Sequence, residues 1–177
     1  FLLAFIGCAT SEKDVRIVED FNLDWKFKLG NFPKATDSTF NVENWRSLNL
    51  PHDWSIEGAF SKDHPAKPEG GALPTGVAWY RKTFKLPQDF QNKSISIEFD
   101  GVYRKSEVWI NGHYLGIRPN GYISFAYDLT KHLNYGEQKN IIAVKVDNSE
   151  QANSRWYSGS GIYRNVRLVV AEKLHVT

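Results

Sequence analysis

The chain has 177 residues, enough for one well-filled domain. Its 22 basic and 20 acidic residues leave a net charge of +2 with no basic run, so no nucleic-acid footprint is present. A single cysteine, Cys8, excludes an internal disulfide, while aromatics reach 14% with six Trp, which suits a β-rich core or a carbohydrate surface.

The apolar run Phe1–Gly7, FLLAFIG, stops at Cys8 and gives way to polar residues. Seven apolar residues cannot span a bilayer, which takes about twenty. The pattern resembles the end of a bacterial lipoprotein signal. Residues 1–14 are therefore expected to be a clipped signal remnant and tether, with Cys8 as the lipidation site. Periplasmic or outer-membrane-anchored localisation follows, with membrane contact only through that lipid.

From Val15 onward the pattern is β almost throughout. Trp25–Leu29 alternates around Phe27. Ala78–Leu86 places Tyr80, Phe84 and Leu86 on one face and Arg81, Thr83 and Lys85 on the other. Ser94–Phe99 sends Ile95, Ile97 and Phe99 inward. Period two marks a strand with one buried face. Glu107–Ile110 and His113–Leu115 flank Asn111-Gly112, a dipeptide that accepts positive φ at both central positions of a tight hairpin. Ile123–Tyr127 predicts a strand, Leu129–Leu133 a helical turn, and Asn140–Val146 and Asn165–Val170 two further strands. About eight short strands without intervening helices predict an all-β, two-sheet β-sandwich of jelly-roll type over residues 15–172.

Two segments break the regularity. Residues 51–77 contain four prolines and several glycines. A loop of that length inside a compact domain is functional or disordered. Residues 147–161, DNSEQANSRWYSGSG, directly follow a strong strand. Both are too polar and glycine-rich for a core, yet they carry Trp54, Phe60, Trp156 and Tyr157. The expectation is that they emerge at one end of the sandwich with those aromatics partly exposed.

Catalytic chemistry is not legible here. Glycoside hydrolysis needs two carboxylates about 5 to 9.5 Å apart. Glu98, Glu107, Asp128 and Glu137 fall on strand exteriors or in turns, and nothing pairs Asp53 with Asp63. No G-x-S-x-G elbow occurs. His52, His64, His113, His132 and His175 lack ligand spacing on one element. No catalytic residue, metal or cofactor is predicted. Binding is the better-supported chemistry. Asp53, after His52 in the PHDW turn, can accept bonds from vicinal hydroxyls or cap its own backbone. Arg155 and Trp156 are the other candidates, against an interface or packing role.

Several segments carry a resemblance, in order: FNLDWKF at Phe21–Phe27, LPHDW at Leu50–Trp54, WYRKTF at Trp79–Phe84, FDGV at Phe99–Val102, WING at Trp109–Gly112 and NSRWYSGSGIYR at Asn153–Arg164. Together they resemble the amino-terminal domain of the glycoside hydrolase family 2 enzymes, most of all β-galactosidase-like members from gut-type Bacteroidetes. The resemblance implies a jelly roll followed by an immunoglobulin-like domain and a TIM barrel that carries two catalytic glutamates. It makes residues 173–177 the start of a linker. It implies that the jelly-roll loops contact a terminal β-linked sugar, a galactoside first, through Asp53, Asn153 and Arg155, with His52 and Trp156 beside them as further binding candidates. This chain alone is then expected to hydrolyse nothing and to bind free sugar at millimolar affinity or weaker. A β-glucuronidase or β-mannosidase fragment, a stand-alone carbohydrate-binding module and a purely structural interface domain are the alternatives.

Overall fold

A computed structural model describes residues 16–174; Cys8 and His175 lie outside the described residues. Ten strands run in chain order as β1 (Arg16–Asp20), β2 (Trp25–Leu29), β3 (Arg46–Leu48), β4 (Gly76–Phe84), β5 (Lys93–Phe99), β6 (Ser106–Ile110), β7 (His113–Arg118), β8 (Phe125–Asp128), β9 (Asn140–Asn148) and β10 (Val166–Glu172). They form a four-stranded sheet, β1-β10-β5-β8, and a six-stranded sheet, β3-β2-β4-β9-β6-β7. From β4 onward the chain crosses between sheets at every connection except the β6–β7 hairpin, the winding of a jelly roll. The described helices are short 3-10 turns, among them Thr130–His132 near the predicted turn.

Alternation decides which face each strand buries. In β5, Ile95, Ile97 and Phe99 are fully buried and the residues between them are not. Ile97 faces Leu168 and Ile95 faces Val170 across the ladder to β10. Each such side chain contributes about 1.5–3 kcal/mol on burial. From the other sheet, Tyr80 and Ala78 of β4 pair with Val144 and Val146 of β9 and close the same core. The β6–β7 turn has φ of 49° at Asn111 and 83° at Gly112, as its sequence predicts.

The outer face of β4 differs from the sequence expectation. Residues 30–45 fold back over it and make a second core of Ala35, Trp45, Trp79 and Ala143, flanked by Phe32, Phe40 and Trp109. Arg81, expected on a solvent face, is buried beneath this cover and donates to the Phe40 carbonyl at 3.0 Å. The six-stranded sheet is thus covered on both sides near its centre.

The β4–β9 register positions the two irregular loops. Gly76, where residues 51–77 enter β4, is paired with Asn148, where β9 releases residues 149–161. One ladder end therefore delivers both loops to the same edge of the sandwich.

Candidate functional site: the paired loops

Three residues of the PHDW turn lie against three of the closing loop. His52 N–H donates to Ile162 O at 2.8 Å and Trp54 N–H to Ser160 O at 3.1 Å. Gly161 in turn exchanges backbone bonds with Tyr103 at 2.8 and 2.9 Å. At Gly161 φ is 129°, and a Cβ there would lie 2.5 Å from the Tyr80 hydroxyl and 2.6 Å from His52 O. Only glycine lets these backbones approach so closely.

Asp53 sits inside this junction. Its Oδ1 accepts from the Ser55 N–H at 3.0 Å and the Ser160 N–H at 2.9 Å, and its Oδ2 accepts the Tyr157 hydroxyl. The backbone-capping reading of Asp53 is correct at Ser55, and the same carboxylate also staples one loop to the other. A carboxylate has about four lone-pair sites, and three are taken. Burial, aided by the Asp53 charge, pushes the Tyr157 hydroxyl well above the usual tyrosine range. Tyr157 therefore keeps its proton and donates it to Asp53.

His52 is buried, with Nδ1 2.8 Å from the Tyr80 hydroxyl and Nε2 3.3 Å from Glu57 Oε1. Burial lowers its pKa, against the opposing pull of Glu57. A neutral ring accepting from Tyr80 and donating to Glu57 satisfies both contacts. Glu57 also takes a two-pronged bond from Arg46 at 2.7 and 2.5 Å, which holds it below the usual carboxylate range. His52 thus braces the turn from inside and does not face the loop surface.

Asn148 organises the second loop, and sequence reasoning missed it. Buried at the end of β9, it donates to Ser160 Oγ at 2.8 Å and Gly159 O at 3.1 Å. Its Oδ1 accepts from Gln151 at 3.0 Å and Asn153 at 2.9 Å. Ser160 Oγ also lies 2.7 Å from Ser55 Oγ, which closes a chain of polar contacts across both loops. An Asn at the end of a strong strand was the one available signal, and it does not name its partners.

The remaining candidates form the rim. Arg155 is exposed and makes no ion pair or hydrogen bond within the described residues. Trp156 is 63% exposed, its Nε1 3.3 Å from the hydroxyl of exposed Tyr122, which meets Tyr103 edge-on at 5.3 Å. Asn153 Nδ2 is spent on Asn148 and Glu150 O, and its Oδ1 lies a long 3.4 Å from the Tyr103 hydroxyl. Phe60, Trp156 and Tyr157 are exposed as expected, but Trp54 is 4% exposed and packs near Phe27 in the main core. The crevice between the loops encloses about 10 Å³, room for a water and not for a sugar. The loops present an edge.

Two carboxylates beside this edge, Glu150 and Asp147, are held below their usual range. Lys105 draws Glu150 below its usual range, and in Asp147 the raising effect of burial is outweighed by hydrogen bonds from Ser149. A general acid needs the opposite shift. Among the described residues no three His, Cys, Asp or Glu gather as a metal site would require.

Residues 18–171 match the family described as glycosyl hydrolases family 2, sugar binding domain. The chain belongs to that family. This family 2 domain is 57% identical over 157 residues to a β-galactosidase of Bacteroides ovatus, a match covering 89% of this chain and 18% of the relative. It is 46% identical to a putative β-glucuronidase of Formosa agariphila, over 90% of this chain and 15% of the relative. Among solved structures, a β-glycosidase from Bacteroides vulgatus superposes with a TM-score of 0.84 at 54% identity, covering 87% of this chain and 20% of that one. The family 2 domain thus spans no more than about a fifth of the length of these relatives.

Proposed function

We propose that this chain is the sugar-binding accessory domain of a retaining β-glycosidase of β-galactosidase type. In this reading residues 51–77 and 147–161 form one edge of the terminal-sugar pocket. The catalytic carboxylates and the opposite wall come from a TIM barrel in a longer protein, with an immunoglobulin-like domain between. The observation that carries the reading is a rigid rim with an open face. Asp53, Asn148 and Ser160 lock the loops together, while Arg155 and Trp156 point outward with no partner that completes a pocket. The similarity to β-galactosidases and β-glycosidases of about five times this length supports the same view. Arg155 donates to sugar hydroxyl oxygens, and the Trp156 ring offers its face to the apolar side of a sugar ring. Asp53, Asn153 and His52 hold that rim in place, Asp53 with one lone-pair site left to accept a hydroxyl. Attachment of the longer protein to the outer membrane through a lipid on Cys8 belongs to the same reading.

A second substrate reading is favoured by the free guanidinium of Arg155, which suits the carboxylate of a glucuronide. The Formosa relative named as a putative β-glucuronidase points the same way.

The test is steady-state kinetics of the longer protein on aryl β-galactoside and aryl β-glucuronide. Arg155→Ala should lower kcat/KM about ten- to hundredfold on the better substrate, the loss of one or two charge-assisted bonds. The melting temperature should be unchanged. Unaltered kcat/KM on both substrates overturns the proposal. A better rate on the glucuronide selects the second reading.

A further inference from the structure

At the other end of the sandwich, β9 starts at Asn140, roughly 27 Å along the strand from Asn148 at about 3.4 Å per residue. There the tip of the β6–β7 hairpin meets the Thr130–His132 turn and residues 134–139. Between them lies an open depression of about 470 Å³. Its lining includes His113, Lys131, His132 and Lys139, with Ser38 and Asn134 as neutral donors, and contains no carboxylate. Lys85, Lys105 and Lys145 are each paired with a glutamate, Lys85 with Glu137 of the 134–139 segment itself, whereas Lys28, Lys34, Lys62 and Lys67, like Lys131 and Lys139, make no ion pair among the described residues. None of the four cationic or titratable side chains in the depression is paired within the described residues.

The depression is held rigid from behind. Asn111 donates to His132 O at 2.7 Å and to Asn140 Oδ1 at 2.9 Å, and its own Oδ1 accepts Ile141 N–H at 2.8 Å. Fully buried Asn140 clamps Asn134 through bonds of 2.7 and 2.8 Å. This frame keeps the His113 and His132 rings stacked, with centroids 4.3 Å apart and planes at 24°. Two parallel imidazoles beside two ammonium groups repel once protonated. An oxyanion seated among them reverses the sign of that interaction. The faces around the pair supply Lys131 from the turn, Lys139 from the loop before β9 and apolar Ile141 from β9 itself. Asp37, next to Ser38, has its Oδ1 occupied by the Thr39 N–H and hydroxyl.

We infer that this depression is an oxyanion-binding site, for sulfate or phosphate or for the carboxylate of an acidic sugar. The inference stands on these residues alone and is independent of what the paired loops bind. It is tested by NMR titration of the 177-residue chain with sodium sulfate at pH 6 and constant ionic strength, against chloride. The His113 and His132 ring protons should move saturably with sulfate. The exposed pair Lys131→Ala/Lys139→Ala should weaken binding about tenfold or more with the spectrum still dispersed, and Lys62→Ala should not. Sodium glucuronate moving the same resonances, with glucose inert, identifies an acidic sugar as the source. Sulfate alone acting identifies the free tetrahedral ion. Non-saturable shifts, equal affinity in the double variant, or glucose acting as strongly as glucuronate overturns the site.

Discussion

The Asp53 carboxylate accepts the Ser160 backbone N–H at 2.9 Å across 107 residues of chain. With Ser55 and Tyr157 on the same carboxylate, that contact makes one unit of two loops that have little regular structure of their own.

Asp53→Ala should therefore destabilise the domain. On sequence grounds a loop carboxylate at this position contributes little to folding, so the substitution would weaken substrate binding and leave the fold intact. The structure changes that expectation, because three donors lose their acceptor at once. Part of the loss is recovered by water at this half-buried site, so the cost should be about 1–3 kcal/mol. Urea unfolding of the variant reads it directly. Tyr157→Phe, which removes one donor and leaves Asp53 two, should cost less than half as much.

Gly161 and Gly76 separate two causes of glycine dependence. Both have nearly the same φ, 129° and 128°. A Cβ at Gly76 would meet nothing within 4 Å, whereas at Gly161 it would strike the Tyr80 hydroxyl and His52 O. Gly76→Ala should cost only backbone strain, on the order of 1–2 kcal/mol. Gly161→Ala adds a collision with buried backbone and should exceed that by at least about 2 kcal/mol. Equal chemical-denaturation midpoints for the two variants would refute the collision argument.

This contrast shows what is legible in the residues. Strands β4, β5, β9 and β10 and the Asn111-Gly112 hairpin follow from period two and from turn chemistry, both local. β1, with one half-buried residue, and β3, with three residues in all, carry too little pattern to be read. The cover over Trp79 and the burial of Arg81 are invisible because they depend on where residues 30–45 return in space. The loop candidates divide by burial. His52 and Asp53 turn inward and Arg155 and Trp156 outward, and nothing in the local sequence separates them.

His52 makes stability pH-dependent. Its folded pKa lies below the unfolded value near 6.5, so below that pH the unfolded chain binds a proton the folded chain resists. The contribution is complete above pH 6.5 and is lost as the pH falls toward the lowered folded value. The Glu57 shift, driven first by Arg46, acts with the same sign at lower pH. The melting temperature should thus fall between pH 7 and pH 5. His52→Gln, which keeps polar contacts without a proton to bind, should flatten that slope and lower the plateau. A wild-type profile level over this range would exclude the buried neutral histidine.

Asn148 is where β9 hands its order to the loop. Its amide donates toward Ser160 and Gly159 and accepts from Gln151 and Asn153, so its four bonds span residues 151–160 from one buried point. Asn148→Ala leaves those groups to find water in a crevice with room for about one molecule. The expected cost is about 2–3 kcal/mol, with amide exchange at residues 151–160 faster by at least tenfold. Asn148→Asp is the sharper variant. It keeps both acceptor contacts but turns a carboxylate oxygen onto the Gly159 carbonyl in a buried site, so it should be at least as damaging as Ala. Hydrogen exchange can tell the two causes apart. If packing alone mattered, Asp, nearly the size of Asn, would protect the loop as well as the wild-type residue does, and the hub role of Asn148 would fall.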